Sequence, residues 1–195
     1  MKPLTTADIA DIAQYERERL DYRPHMTELK KHRRVQVGDM VTFVFENRDT
    51  VRFQIQEIMR AERIVRDDRI QEEVNIYNEL IPGPGQLSAT GLIEIKDQSN
   101  LRTILDTMVG LDHGGTTFLV IGDEQVEAVY EGGQSNQVRI SAVHYVTFDL
   151  TTAQSRALAP GGPEVSLVIE HPNYKAQQVL PDDVRLSLAA DFVDA

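Results

Sequence analysis

Apolar residues recur at helical spacing along the first part of the chain. Residues 1–34 are predicted to be helical, with Pro24 in the first turn of a helix that runs to about position 34. Two more helices are predicted over 51–58 and 70–81, where apolar residues return every three or four positions. The Pro-Gly-Pro-Gly run at 82–85 ends the second of them, because neither residue type sustains a helix.

β-branched and aromatic residues mark a hairpin over 35–45 that turns at Gly38 and Asp39. Further strands are predicted over 87–95, 117–121, 125–130, 138–150 and 165–170, and further helices over 101–108, 151–158 and 181–192. Pro172 lacks the N–H that a central strand needs, so any strand that follows it is expected at a sheet edge.

The order of these elements favours one α+β domain over residues 1–195. Strands and helices do not alternate regularly, which disfavours a doubly wound parallel sheet. We expect the helical part, 1–34, to pack on the mixed sheet and helices of 35–195. The sheet is expected to be curved and mostly antiparallel, with a barrel as its closed alternative.

Composition and charge narrow the class of protein. The 195 residues include no Cys, which excludes disulfides, thiolate catalysis and Cys-ligated metal or Fe–S sites. No apolar run is long enough to span a bilayer and no signal peptide is evident, so we expect a cytoplasmic protein without membrane contact. The formal net charge is −11, and residues 97–195 carry 5 Lys and Arg against 14 Asp and Glu. Nucleic-acid binding is therefore not expected, and the basic run at 30–34 is interpreted as a solvated helix end.

Motifs of enzymes and metalloproteins are absent from the sequence. It contains no dinucleotide fingerprint, phosphate-binding loop, nucleophile elbow or zincin motif. None of the five His residues lies three or four positions from another, and no Glu-x-x-His spacing marks a di-iron helix, so neither a metal nor a cofactor is expected. His144 and His171 would converge on a site only if their two strands were neighbours.

The densest polar segment lies between the predicted hairpin and the helix after it. Its candidate ligand-binding residues are Glu46, Arg48, Gln54, Glu57 and Arg60. Carboxylate, guanidinium and amide groups that meet at a helix N-terminus could bind a polar or anionic ligand. The alternative is an ion-pair network that pins the helix to the sheet.

Five segments of the chain resemble a known family. They are residues 45–60, 77–82 and 87–90, the opening Met1-Lys2-Pro3-Leu4-Thr5 and the basic run at 30–34. They resemble an uncharacterised bacterial family that is catalogued as a domain of unknown function. Genes of that family are often found near those of rubrerythrin-like and Fe–S oxidoreductase proteins. The resemblance therefore implies a role beside peroxide or electron-transfer chemistry, with a redox protein as partner, and it assigns no catalytic residue.

Three functions stay open at this point. The first is a non-catalytic accessory or binding protein that serves a redox or oxidative-stress system through a partner. The second is an enzyme or ligand-binding domain that uses the Glu46–Arg60 segment, and the third is a structural homo-oligomer such as a homodimer. Because the chain has no thiol, Fe–S ligand set or dinucleotide fingerprint, any redox role is expected to be indirect.

Overall fold

The chain folds into both helices and antiparallel strands. The computed structural model describes residues 1–95, 99–132 and 140–193. Its helices are α1 Ile12–Lys31, α2 Arg48–Glu62, α3 Asp67–Asn78, α4 Leu101–Thr107, α5 Thr152–Ala157 and α6 Asp182–Ala190. Its strands are β1 Arg34–Val37, β2 Val41–Glu46, β3 Gln86–Ile93, β4 Thr117–Ile121, β5 Glu124–Glu127, β6 Val129–Tyr130, β7 Val143–Asp149, β8 Val165–His171 and β9 Tyr174–Val179.

The strands form two sheets, with orders β1-β2-β3-β7-β6 and β5-β4-β8-β9. Every neighbouring pair is antiparallel, which confirms the α+β class and the predicted sheet type. The barrel alternative is wrong, because each sheet keeps two edge strands that pair on one side only. The chain crosses from one sheet to the other at Ala128, and β9, which follows Pro172, lies at an edge as expected.

Alternation along the strands builds the main core. Phe43 and Phe45 of β2 and Leu167 and Ile169 of β8 belong to one buried cluster that draws on both sheets. The opposite face of the first sheet carries Thr42, Val44 and Glu46 on β2, because successive side chains point to opposite faces.

A second apolar cluster joins α2 and α3 to the start of the chain. Val51, Ile55 and Met59 of α2 pack there with Val74 of α3 and with Leu4. The apolar stripes predicted for these two helices are confirmed as buried faces. Asn47 begins α2, and its side-chain oxygen accepts from the N–H groups at 49 and 50.

The N-terminal helix differs from its prediction. α1 is one continuous helix of 20 residues with Pro24 in its interior, not in its first turn. Asp11 caps it by accepting from Gln14 N, and only Tyr15 and Met26 along it are buried. The cap starts the helix before Pro24, and the buried pair holds it on its neighbours through the break in hydrogen bonding.

The strand predicted over 138–150 is shorter in the structure. β7 begins at Val143, and residues 133–139 lie outside the described part of the chain. The strand predicted over 125–130 is divided at Ala128, where its two halves belong to different sheets. Among the described residues, no helix combines the length and the apolar character needed to cross a membrane.

Candidate functional site

The five residues predicted as one constellation lie in separate places. Glu46 ends β2, whereas Arg48 starts α2 and contacts Asp8 of a short 3₁₀ turn, Thr6–Asp8. Gln54, Glu57 and Arg60 follow along α2, where Glu57 and Arg60 meet α1. The structure therefore brings only Glu46 and Gln54 to a common cleft.

Glu57 is the centre of an ion-pair network between α1 and α2. Its carboxylate accepts two hydrogen bonds from the Arg19 guanidinium, at 2.7 and 2.9 Å, and a third from the Tyr15 hydroxyl at 2.6 Å. The hydrogen bonds from Arg19 outweigh burial and lower the pKa of Glu57 from 4.5 to about 2. Burial and the bond to Glu57 in turn raise the pKa of Tyr15. These hydrogen bonds therefore hold α1 against α2.

Arg60 and Arg48 also form contacts between elements. Arg60 Nε lies 2.7 Å from Glu16 Oε1 on α1, although it lacks the alignment of a hydrogen bond. Arg48 donates to Asp8 at 2.6 Å, and bonds from Thr5 and from Arg48 lower the pKa of Asp8 to about 2. These two arginines form ion pairs, but the pairs join α2 to α1 and to the N-terminal segment and not to the sheet, as the network alternative expected.

Glu46 has a different environment, because its carboxylate is buried without a basic partner. The residue is 3% exposed, and its two oxygens accept from the hydroxyls of Thr50, at 2.5 Å, and Thr90, at 2.8 Å. Within the described residues, no ion pair reaches this carboxylate. Arg33, which is close by, donates to the backbone carbonyl of Glu46 and pairs with the carboxylate of Asp191 instead. A buried carboxylate without a cation is unusual, because desolvation disfavours the charge.

This carboxylate lies against a cleft between the C-terminal end of α1 and the outer face of the first sheet, which we call the α1–β2 cleft. The cleft has a volume of about 430 Å³, within the range of small-molecule sites. Its lining residues are Thr27, Lys30, Lys31, Arg34, Val44, Glu46, Gln54, Thr90 and Leu92. It therefore combines an apolar floor, a basic rim and one buried carboxylate.

The basic residues of the rim differ in whether a carboxylate pairs with them. Arg34 forms a double contact with Glu94, and Lys31 pairs with Glu28 at 2.6 Å. Lys30 has no carboxylate among its described contacts, and its Nζ lies 5.4 Å from the centre of the Phe53 ring on α2. Among the described contacts, the Lys30 ammonium beside the cleft therefore meets an aromatic ring and no carboxylate.

A second polar cluster, which sequence reasoning missed, lies where the loop after α4 meets β7. His144 Nε2 is 2.7 Å from the Ser141 carbonyl, which can only accept, so the proton is on Nε2. Its Nδ1 lies 3.8 Å from Asp112 Oδ2, and burial lowers the pKa of His144. Neither His144 Nδ1 nor Asp112 Oδ1 has a hydrogen-bond partner within the described residues. The nearest signal in the sequence is the Asp-His-Gly-Gly run at 112–115.

The two strand histidines do not share a site through neighbouring strands. His144 belongs to β7 in the first sheet and His171 to β8 in the second. His171 is buried, with its Nε2 3.0 Å from the Val109 carbonyl and its Nδ1 accepting from Asn173 N. In the described ranges, no three His, Asp or Glu side chains form a group that could hold a metal ion.

Comparison with known proteins adds a family but no activity. The chain is similar to a novel protein of unknown function from Burkholderia pseudomallei, known as a crystal structure, with 30% sequence identity and a TM-score of 0.89. The similarity covers 97% of this chain and 99% of that one. No curated protein matches the chain. A family model described as "Protein of unknown function (DUF3501)" matches residues 3–192, and the chain therefore belongs to that family.

Proposed function

We propose that this protein binds a small organic anion in the α1–β2 cleft. The observation that carries the proposal is Lys30, which no carboxylate neutralises among its described contacts, at the rim of a cleft with an apolar floor. The rim of the cleft is thus basic although the whole chain has a formal charge of −11. A carboxylate or phosphate at the rim would compensate the positive charge of Lys30.

The shape of the lining supports a ligand with a short apolar body. Val44 and Leu92 form the apolar part of the floor, on neighbouring strands that belong to one rigid sheet. The other seven lining residues have polar or charged groups around this floor, and such groups can orient a ligand. The Lys30 ammonium is held near the Phe53 ring, which lowers the conformational cost of placing it on a ligand.

Binding without catalysis is the form of the function that these groups favour. Glu46 and Gln54 are the only two residues of the predicted constellation that line the cleft. Within the described residues that line it, there is no His, and the two hydroxyls, of Thr27 and Thr90, already donate to the Arg23 carbonyl and to the Glu46 carboxylate. A nucleophile with an adjacent base is therefore not assembled there.

Calorimetric titration with hexanoate tests the proposal. Hexanoate has one carboxylate and an apolar chain, and we expect saturable binding at one site per chain. Lys30→Gln is expected to weaken the affinity by about tenfold, because the uncompensated charge is lost. Lys175→Gln, which removes an exposed lysine of β9, is the matched control and should leave the affinity unchanged. No binding to the unmodified protein, or equal binding to both variants, would overturn the proposal.

An accessory role beside a rubrerythrin-like or Fe–S protein stays a prediction of the family resemblance. No described contact favours one partner, so it is tested on the proteins themselves. The measurement is binding to the neighbouring rubrerythrin-like protein at two salt concentrations, where docking through an acidic surface should weaken as salt rises.

A further inference from the structure

We infer that the ligand of the α1–β2 cleft also has an ammonium group, and that Glu46 receives it. The inference rests on the proposed function and names the ligand class: an ω-amino carboxylate, with a cation at one end of an apolar chain and an anion at the other.

The first argument is the state of the Glu46 carboxylate. It is 3% exposed, lines the cleft, and within the described part of the chain has two hydroxyl groups as its only hydrogen-bond partners. Two carboxylate oxygens have about four acceptor sites in total, so acceptor capacity remains. Thr50 and Thr90 orient the group but do not compensate its charge. A ligand ammonium would supply both the missing donors and the missing charge.

The second argument is the placement of the two charges along the sheet. Arg34 lies opposite Val44 in the β1–β2 register, and Thr90 lies opposite Val44 on the other side. Glu46 is two positions farther along β2 on the same face, a rise of about 7 Å. Arg34 of the basic rim and Glu46 are therefore at different levels of the sheet, and Leu92, which lies opposite Thr42, extends the apolar floor on the side away from Glu46.

This separation selects among amino acids. An α-amino acid has its ammonium and carboxylate groups on one carbon, so it suits two separated charges less well. An ω-amino acid has its charges at opposite ends of a methylene chain that can lie on the apolar floor. A diamine would place its second cation against Lys30 and is disfavoured by like-charge repulsion.

Three probes of equal carbon number test the inference by calorimetry: ω-aminohexanoate, its α-amino isomer and hexanoate. We expect ω-aminohexanoate to bind the unmodified protein about tenfold or more tightly than either of the other two. Glu46→Gln keeps the shape of the side chain and removes its charge, and it should bring the ratio of ω-aminohexanoate to hexanoate affinity close to one. Lys30→Gln should weaken both ligands and preserve that ratio.

The outcomes separate this inference from the proposal on which it rests. If hexanoate and ω-aminohexanoate bind with equal affinity to the unmodified protein, the proposed function holds and the ammonium site is wrong. If neither binds, both are wrong. Should Glu46→Gln fold poorly, as circular dichroism would show, the three-probe comparison on the unmodified protein still decides the inference. A preference for the α-amino isomer would also overturn it.

Discussion

At the scale of single residues, Glu57 joins α1 to α2 with three hydrogen bonds from Tyr15 and Arg19. Glu57→Gln keeps the shape but loses the charge-assisted bonds, and we expect the free energy of unfolding to fall by about 1–2 kcal/mol at neutral pH. Urea denaturation followed by circular dichroism measures this loss. Glu72→Gln is the matched control, because Glu72 pairs with Arg69 on an exposed face, and we expect almost no change.

The stability difference between the unmodified protein and Glu57→Gln should become smaller as the pH falls. The pKa of Glu57 is about 2 in the folded protein against 4.5 for an unperturbed glutamate. The charged carboxylate is therefore favoured by folding, and its contribution is present above pH 4.5 and disappears as the pH falls toward 2. The difference in stability between the unmodified protein and Glu57→Gln should shrink over this interval. A constant difference from neutral pH to pH 2 would contradict the assignment.

Other residue contacts explain where sequence reasoning reaches its limit. Arg33 belongs to a basic run that was interpreted as a solvated helix end, yet it is 1% exposed and pairs with Asp191 at 2.5 Å. Its partner is far along the chain, so no local pattern reveals the pair. Burial is the largest influence on Asp191 and raises its pKa despite the arginine. The Asp112–His144 contact was missed for the same reason, because the fold alone brings the loop to β7.

At the scale of elements, Pro24 interrupts the hydrogen-bond ladder of α1 on an exposed side. It has no N–H to donate to the carbonyl four residues earlier. We expect Pro24→Ala to raise the free energy of unfolding by about 1–3 kcal/mol, because a good helix former replaces the poorest one. Thermal unfolding measures the gain, with Glu18→Ala on the same exposed helix as control. A lower melting temperature for Pro24→Ala would show that the proline ring serves the packing of α1.

Periodicity was sufficient for elements that bury one regular face. The stripes of α2 and α3 were predicted correctly because they follow from a helical repeat, and β2 was predicted correctly from its β-branched and aromatic residues. Periodicity did not predict the structure where a side-chain cap or a crossing between the two sheets determined the bounds of an element. Asp11 caps α1 upstream of Pro24, and the segment at 125–130 changes sheet at Ala128. The candidate cleft was found in part, since Glu46 and Gln54 were predicted as ligand-binding residues, whereas Lys30 was interpreted only as part of a solvated helix end.

At the scale of the whole molecule, Tyr174 connects the two sheets through its hydroxyl group. Tyr174 lies on β9, and its hydroxyl donates to the Val37 carbonyl at 2.6 Å and accepts from Met40 N at 3.1 Å. Tyr174→Phe leaves a buried carbonyl without its donor, and we expect a loss of about 1–3 kcal/mol in the free energy of unfolding. Gly38, with a φ of +71°, lies so close that an added Cβ would be 2.3 Å from that hydroxyl.

Chemical denaturation measures the loss of stability in Tyr174→Phe. The use of two spectroscopic probes also tests the prediction of a single domain. Tyrosine fluorescence and far-ultraviolet circular dichroism should report one common transition if both sheets unfold together. Tyr145→Phe, whose hydroxyl is outside this contact, is the control. Two separate transitions in the unmodified protein would mean that the sheets are independent units, and an unchanged midpoint for Tyr174→Phe would mean that the hydroxyl does not connect them.

The sparse anchoring of α1 has a consequence for motion. Only Tyr15 and Met26 of its 20 residues are buried, so opening of this helix costs less than opening of the core strands. The α1–β2 cleft has Lys30 on this helix and Glu46 on the sheet, so a ligand that touches both would cross-link a loosely held element to a firmly held one. Occupancy of the cleft should then slow amide hydrogen exchange along the C-terminal turns of α1 while the exchange of β2 stays almost constant.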